Sequence, residues 1–185
     1  MKAAPTKLIS VLVAYLTAIK FPATYNGAAC PFSGQSMFDA VKVFDMEDIV
    51  AAFAELLVFK NRAAFIVMTH ERQDSRISGR NMEVFFHNEF AILISDRSYK
   101  NRNLALIGDA TTPGVLLISD VLVQAMIGEI QAGYLCEPNG GEVFALSGKE
   151  RDNEVGRIGY RQDVTLHGGT IVKPLSRIIS QTYAP

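Results

Sequence analysis

An α/β (α+β) fold is predicted for this 185-residue chain: a central mixed, mainly antiparallel sheet flanked by helices, with a protruding β-hairpin arm. Three observations carry the prediction. Apolar residues recur at helical spacing in three separate segments. Ala63–Thr69 is apolar on both faces, as a strand buried on two sides requires. Glu83–Ser95 alternates strictly enough to read as a strand, and at about 3.3 Å per residue it would run roughly 43 Å, too long for a compact sheet.

The first helix runs from Thr6, a good cap, to about Ile19, with Leu8, Leu12, Tyr15, Leu16 and Ile19 on one stripe widened by Ile9, Val11 and Val13. Only Lys7, Ser10, Ala14 and Thr17 form a small or polar face. The helix therefore needs more than one covering layer, from the core or from a neighbouring subunit. Phe21–Phe44 reads as a long irregular connection, punctuated by Pro22, Gly27, Pro31 and Gly34, with at most one short strand at Ala40–Val43. Asp45 opens the second helix, Glu47 and Asp48 sit in its favourable first turn, and Asn61 ends it.

The polar stretch His70–Asn81 then forms a loop between the two strong strands, so that residues 70–82 protrude. Thr112-Pro113 starts a third helix carrying Leu117, Ile118, Val121, Leu122, Ala125 and Met126, with Gly133 as terminator. After the turn Pro138-Asn139-Gly140-Gly141 come a strand at Val143–Ser147 and an alternating strand from Arg157 to His167. Gly168-Gly169 turns the chain again, and 174–185 is a C-terminal extension, either a tail or an added edge strand.

Composition narrows the function. With 49% hydrophobic and 20% charged residues the chain belongs with ordinary folded domains, and about 70% of its surface can be buried in one domain spanning 1–185. Eighteen basic residues against 19 acidic give a formal charge of -1, which argues against a general polyanion binder. Lys2, Lys7 and Leu8–Ile19 imitate a secretory signal, and Gly27-Ala28-Ala29-Cys30 imitates a lipoprotein box. The apolar run is too short to span a bilayer, and Lys20 and Pro22 interrupt the approach, so a soluble, cytoplasmically made protein is expected. Cys30 and Cys136 are read as reduced thiols, although their spacing alone does not decide whether they are bridged.

No catalytic signature emerges. His70, His87 and His167 are scattered, with no ordered ligand pair, so no metal or cofactor is expected. Gly148-Lys149 fails as a phosphate loop because Glu150 stands where Ser or Thr should bind magnesium. Neither a serine elbow nor a cysteine in a nucleophile context is present. The most unusual polar feature is Arg72, Arg76 and Arg80, recurring every four residues on the arm. Arg97, Lys100 and Arg102 form a second basic cluster. Such forked donors suit acidic groups or phosphates. Arg72, Arg76, Arg80, Arg97 and Arg102 are thus candidate subunit-interface or lumen contacts, or else solvated loop residues, and a nucleic-acid face is the less favoured reading.

The order of elements, with Asn103-Leu104-Ala105-Leu106-Ile107-Gly108 leading into Pro113-Gly114-Val115-Leu116-Leu117-Ile118 and the closing strand Tyr160-Arg161-Gln162-Asp163-Val164-Thr165-Leu166, resembles the tail-terminator proteins of long-tailed, Mu-like bacteriophages. The resemblance implies a non-enzymatic structural virion protein. It would form a homo-hexameric ring that caps the tail tube, ends tube polymerisation and joins the tail to the head. Its partners would be itself, the tail tube protein, a neck or head-completion protein and the sheath protein, with DNA passing through unbound and no membrane involved. A neck or tail-completion protein of an adjacent layer is the alternative. A small α/β ligand-binding domain or enzyme, with its site under the loops at the strand ends, is a rival from another class.

Overall fold

The computed structural model describes residues 4–45, 49–59, 61–96, 101–131, 133–150 and 153–174. In chain order these form α1 (Ala4–Ala18), β1 (Thr24–Tyr25), β2 (Ala28–Ala29), β3 (Ala40–Phe44), α2 (Ile49–Val58), β4 (Ala63–Ser78), β5 (Asn81–Ser95), α3 (Arg102–Ile107), α4 (Gly114–Met126), β6 (Gly128–Gln131), β7 (Tyr134–Glu150) and β8 (Asn153–Pro174). Strands β3 to β8 make a six-stranded sheet in the order β3-β4-β5-β8-β7-β6. Only the β3–β4 pair is parallel; every other pair is antiparallel. The expected mixed, mainly antiparallel sheet flanked by helices is what the chain forms.

Period-2 alternation sends the two faces of this sheet into separate cores. Ala64 and Ile66 of β4, Phe86, Phe90, Ile92 and Ile94 of β5, and Val164 and Leu166 of β8 meet Leu8, Leu12 and Leu16 of α1 and Ile118, Leu122 and Met126 of α4. On the opposite face Ala63, Phe65, Val67 and Leu93 meet Ala52 and Leu56 of α2. Ala63–Val67 is buried throughout because helices cover it from both sides, although β4 lies one strand in from the sheet edge.

Several elements differ from the sequence reading. Helix α1 begins at Ala4, so Thr6 lies inside it and does not cap it. The 21–44 stretch contains more than one strand. Thr24–Tyr25 pairs with Ala28–Ala29 around Asn26-Gly27, both at positive φ, while Phe21, Cys30, Phe32, Met37 and Phe38 fold onto the α1 side of the core. Glu47 and Asp48 lie outside the described residues, and α2 stops at Val58, before Asn61. The 70–82 segment is not a loop. β4 and β5 pair to Ser78↔Asn81 and leave only Gly79-Arg80 as the turn. Strand pairing satisfies the backbone groups whatever the side chains are, so a ribbon with both faces in water can carry the same polar residues that suggest a loop.

Part of the expected basic loop is α3, capped by the Asn101 side chain, which accepts from the Asn103 and Leu104 amides. Gly133 does not end the third predicted helix. That helix, α4, stops at Met126, and Gly133 sits in the β6–β7 turn. The Pro138–Gly141 and Gly168-Gly169 "turns" are both inside continuous strands, where Asn139 and Gly169 are extra residues in the ladder. Glycine-rich punctuation there marks β-bulges and not chain reversals. Cys30 and Cys136 are free and buried. Residues 175–185, nearly all of the expected C-terminal extension, lie outside the described residues.

Candidate functional site on the hairpin arm

Past α2 the sheet continues as a ribbon of β4, β5 and β8, paired out to Ser78↔Asn81 and Asn81↔Pro174. On the α2 face the side chains change from apolar to ionic along each strand. Phe65 and Val67 give way to His70, Arg72, Asp74 and Arg76, and Leu93 and Ala91 give way to Glu89 and His87. The bulge at Thr69 moves this face from the odd-numbered residues of β4 to the even-numbered ones; in an unbroken alternation Arg72 would lie on the other side.

The candidate arginines are thereby sorted. Arg72 and Arg76 share one face. Arg72 Nε donates to Asp74 Oδ1 at 3.1 Å, and Arg76 Nε donates to Glu83 Oε2 at 2.8 Å while its guanidinium lies 4.7 Å from the Phe85 ring centroid. Arg80 stands in the turn at the tip, exposed, and has no ion-pair partner among the described residues. Arg102 begins α3, beyond the other end of β5, so it does not join the arm arginines in one patch. Arg97 lies outside the described residues. Arg72, Arg76, Arg80 and Lys173 of β8 stand against Glu71, Asp74 and Glu83, so the arm is a ribbon of mixed charge and not a strongly basic one.

The sequence reading missed what lies at the root of this ribbon. His87 and His167 face each other across β5 and β8, with Nδ1 to Nδ1 2.6 Å apart and the rings at 71°. His87 Nε2 lies 3.4 Å from Asp74 Oδ2, and His167 Nε2 lies 3.2 Å from Glu137 Oε2 on β7. With Arg72, Glu89 and Thr165 these residues line a shallow cleft of about 350 Å³. The scattered histidines are therefore a cross-strand pair. The available signal was that each stands on the polar side of an alternating strand; the register that unites them runs unbroken from Ser95↔Gly159 to Phe86↔Gly168 between two strands remote in sequence, which no spacing rule reveals.

The cleft's chemistry is acid–base and hydrogen-bonding. Its ring nitrogens face each other or separate carboxylates, and among the described residues no group of three His, Cys, Asp or Glu could hold a metal ion. Thr165 Oγ1 accepts from the Asn139 side chain. Other perturbed groups are remote from it. The hydrogen bond from Tyr25 to Asp120 at 2.7 Å raises that phenol, helped by burial. Donation from Thr111, backbone first, with help from the Thr112 amide, lowers Asp109. Burial pushes the Cys136 thiol up to about 12. Among the described residues, no helix is long and apolar enough to cross a membrane. No family model matches the chain, and no curated protein matches it.

Proposed function

We propose that this chain is a structural virion protein of the tail-terminator kind. Its copies would close a hexameric ring on the last layer of the tail tube, stop polymerisation there and present the other ring face to a neck or head-completion protein, with the sheath protein alongside in a contractile tail. The resemblance in the order of elements motivates the reading, and the observation that carries it is the arm. A ribbon extending past the helices, with Ile77 68% exposed beside Arg80, which has no ion-pair partner among the described residues, gives a copy a surface suited to docking on something outside itself.

A second patch lies on α2, whose only charged residue is Glu55, held by Lys42. Its outer side exposes Val50 by 76% and Val58 by 60%. Two dissimilar patches on one subunit are what a head-to-tail ring requires. The formal charge of -1 suits a passage through which DNA slides without being held.

The test is to measure the mass of the purified protein alone and with tube protein, and to follow tube length as it is added. The proposal expects a ring, formed in solution or on tube ends, and arrested elongation. A species that stays monomeric and leaves growing tubes unaffected overturns it.

A further inference from the structure

We propose that residues 142–148 of β7 form a strand-pairing edge whose occupant is β3 (Ala40–Phe44) of a second copy, so that the six-stranded sheet continues from one copy to the next. β8 lies along one side of β7 for its whole length, but on the other side β6 reaches only Tyr134, Leu135 and Cys136. Among the described residues no strand lies against the outer side of β7 beyond Cys136, and none against the outer side of β3. Both edges therefore carry backbone N–H and C=O groups with no ladder partner.

Natural sheets guard such edges with proline, bulges or a projecting lysine. β7 is guarded in this way as far as Gly140, by Pro138 and the extra residue Asn139. Beyond that point the guard stops. Residues 142–148 contain no proline, no lysine and no bulge, and pair in unbroken register from Glu142↔Arg161 to Gly148↔Val155. Glu142, Val143, Ala145 and Ser147 are exposed, so nothing in the subunit covers this stretch. On β3 the one lysine, Lys42, is committed within its own subunit: Glu55 of α2 holds its ammonium, which lies 5.6 Å from the Phe59 ring centroid.

The two open edges fit each other. β3 runs with β4, and three antiparallel steps separate β4 from β7, so β3 and β7 run in opposite senses. Through the same ladders β3 is level with residues 140–144 of β7. Rotation about an axis along the strands thus brings β7 of one copy antiparallel to β3 of the next, at nearly the same height. The apolar faces choose the register, since a slip by one residue would exchange them. Phe144, Leu146 and Phe44 belong to the α2 core, whereas Val41 packs on the α1 side, so odd-numbered residues must meet odd-numbered ones. Placing Val43 opposite Val143 meets this condition and engages all of β3 with 142–146, offset by two residues, the kind of stagger a closing sheet introduces. It buries against each other two valines that a lone subunit leaves 43% and 49% exposed. This contact rests on the reading of the chain as a head-to-tail ring, because an edge that meets a different edge repeats until the circle closes.

The experiment combines Val43→Cys with Val143→Cys in the full chain, which is assembled with tube protein and then oxidised. Both positions are exposed, so the replacements leave the fold intact, while the native Cys30 and Cys136 are buried. Directly opposed residues of antiparallel strands have Cα atoms about 4.5–5.5 Å apart, within reach of a disulfide. The double variant should give a ladder of cross-linked species from the dimer up to the ring. An equal mixture of the two single variants should stop at the dimer, and the native chain should give no ladder. In the native chain, amide exchange over 142–147 and 41–44 should slow at least about tenfold on assembly, and Val143→Lys, which restores an edge guard, should weaken assembly at least about tenfold. Rings that form without the ladder overturn the edge contact and leave the ring reading standing. Slowed exchange over 142–147 on adding tube protein, again without the ladder, gives the edge to that partner and overturns the pairing of copies. A chain that never assembles overturns both.

Discussion

Gly108 and Gly114 lie backbone to backbone where α3 meets α4. A Cβ added to Gly114 would overlap the Gly108 amide nitrogen, and one added to Gly108 would overlap the Pro113 carbonyl oxygen. Both residues have φ of 75°, so the close approach and the left-handed conformation each demand glycine. The junction also supplies the cap for α4. Thr112 is not that cap: Pro113 stands at the N-cap position, where its side chain makes no capping hydrogen bond, and the Gly114 amide instead donates to the buried Asp96 carboxylate at 2.6 Å. An acid at the end of β5 thus occupies the positive end of a helix that has no acid of its own in its first turn.

Gly114→Ala should therefore destabilise the chain by about 1–3 kcal/mol from the backbone conformation alone, and by more from the overlap. Gly79→Ala is the comparison. Gly79 has φ of 60° with nothing within 4 Å of its added Cβ, so it should show only the conformational cost of about 1–2 kcal/mol. Urea denaturation of the two variants checks this. Equal losses would mean that the contact between the glycines carries no weight.

Arg157, 1% exposed, is buried where α2 meets the end of β5. Its guanidinium donates to the carbonyls of Leu56 at 2.9 Å, Asn61 at 3.5 Å and Asp96 at 2.5 Å, which ties the carboxyl end of α2 to the end of β5. Leu56 lies in the last turn of α2, where carbonyls lack helical partners and a cation is favourable. Arg157→Met keeps much of the volume and strands those acceptors. A loss of about 3 kcal/mol or more is expected, at 1–3 kcal/mol per unsatisfied group. Arg157→Lys, with one donor point in place of a fork, should recover only part of it. Thermal and urea unfolding read both.

Cys136 gives a pH dependence with a definite sign. Its thiol ionises near 9 when free of the fold, and burial, followed by the nearby Glu137, pushes it up to about 12 in the native chain. Between these values the unfolded chain has released the proton and the folded chain has kept it, so stability present below about pH 9 is lost progressively as the pH rises toward 12. Tyr15, raised mainly by burial, adds to the loss above its ordinary value of 10. Cys136→Ala should flatten the decline between pH 9 and 10, measured by urea titration. Cys136 should also resist alkylation at pH 8 until denaturant is added.

The two cores were legible because burial writes itself as periodicity. Leu8, Leu12 and Leu16 repeat at four, and Phe86, Phe90, Ile92 and Ile94 fall on one parity. The arm was legible as an excess of strand length over what a compact sheet can use. Its interior was not, because Arg72, Gln73 and Asp74 lie in a ribbon solvated on both sides, and nothing in polarity distinguishes such a ribbon from a loop. Asn139 and Gly169 misled for a related reason: an extra residue in a ladder and a turn call on the same residue types. The histidine pair was hidden for another reason: it joins residues 80 apart in sequence, and only the pairing of β5 with β8, strands separated by two helices and two other strands, brings them together.

The arm's place in the proposed ring leads to a test that separates assembly from folding. Arg76 and Arg72 spend their donors on Glu83 and Asp74, exposed pairs worth at most about 1 kcal/mol each, so removing either mainly rearranges the ribbon. Arg80 touches no acid among the described residues, and Ile77 presents 68% of its surface. Substituting both as Arg80→Glu and Ile77→Lys should leave the denaturation midpoint within about 0.5 kcal/mol of the parent, as for surface changes away from buried groups. The same pair should weaken ring closure or tube capping at least about tenfold, the equivalent of 1.4 kcal/mol, if the tip docks on a neighbour. Val50→Asp and Val58→Asp on α2 should act alike if that helix is the opposing patch. Sedimentation of the variants, with tube length measured by electron microscopy, reads both effects; unchanged assembly in all four substitutions would remove the arm and α2 from the interface.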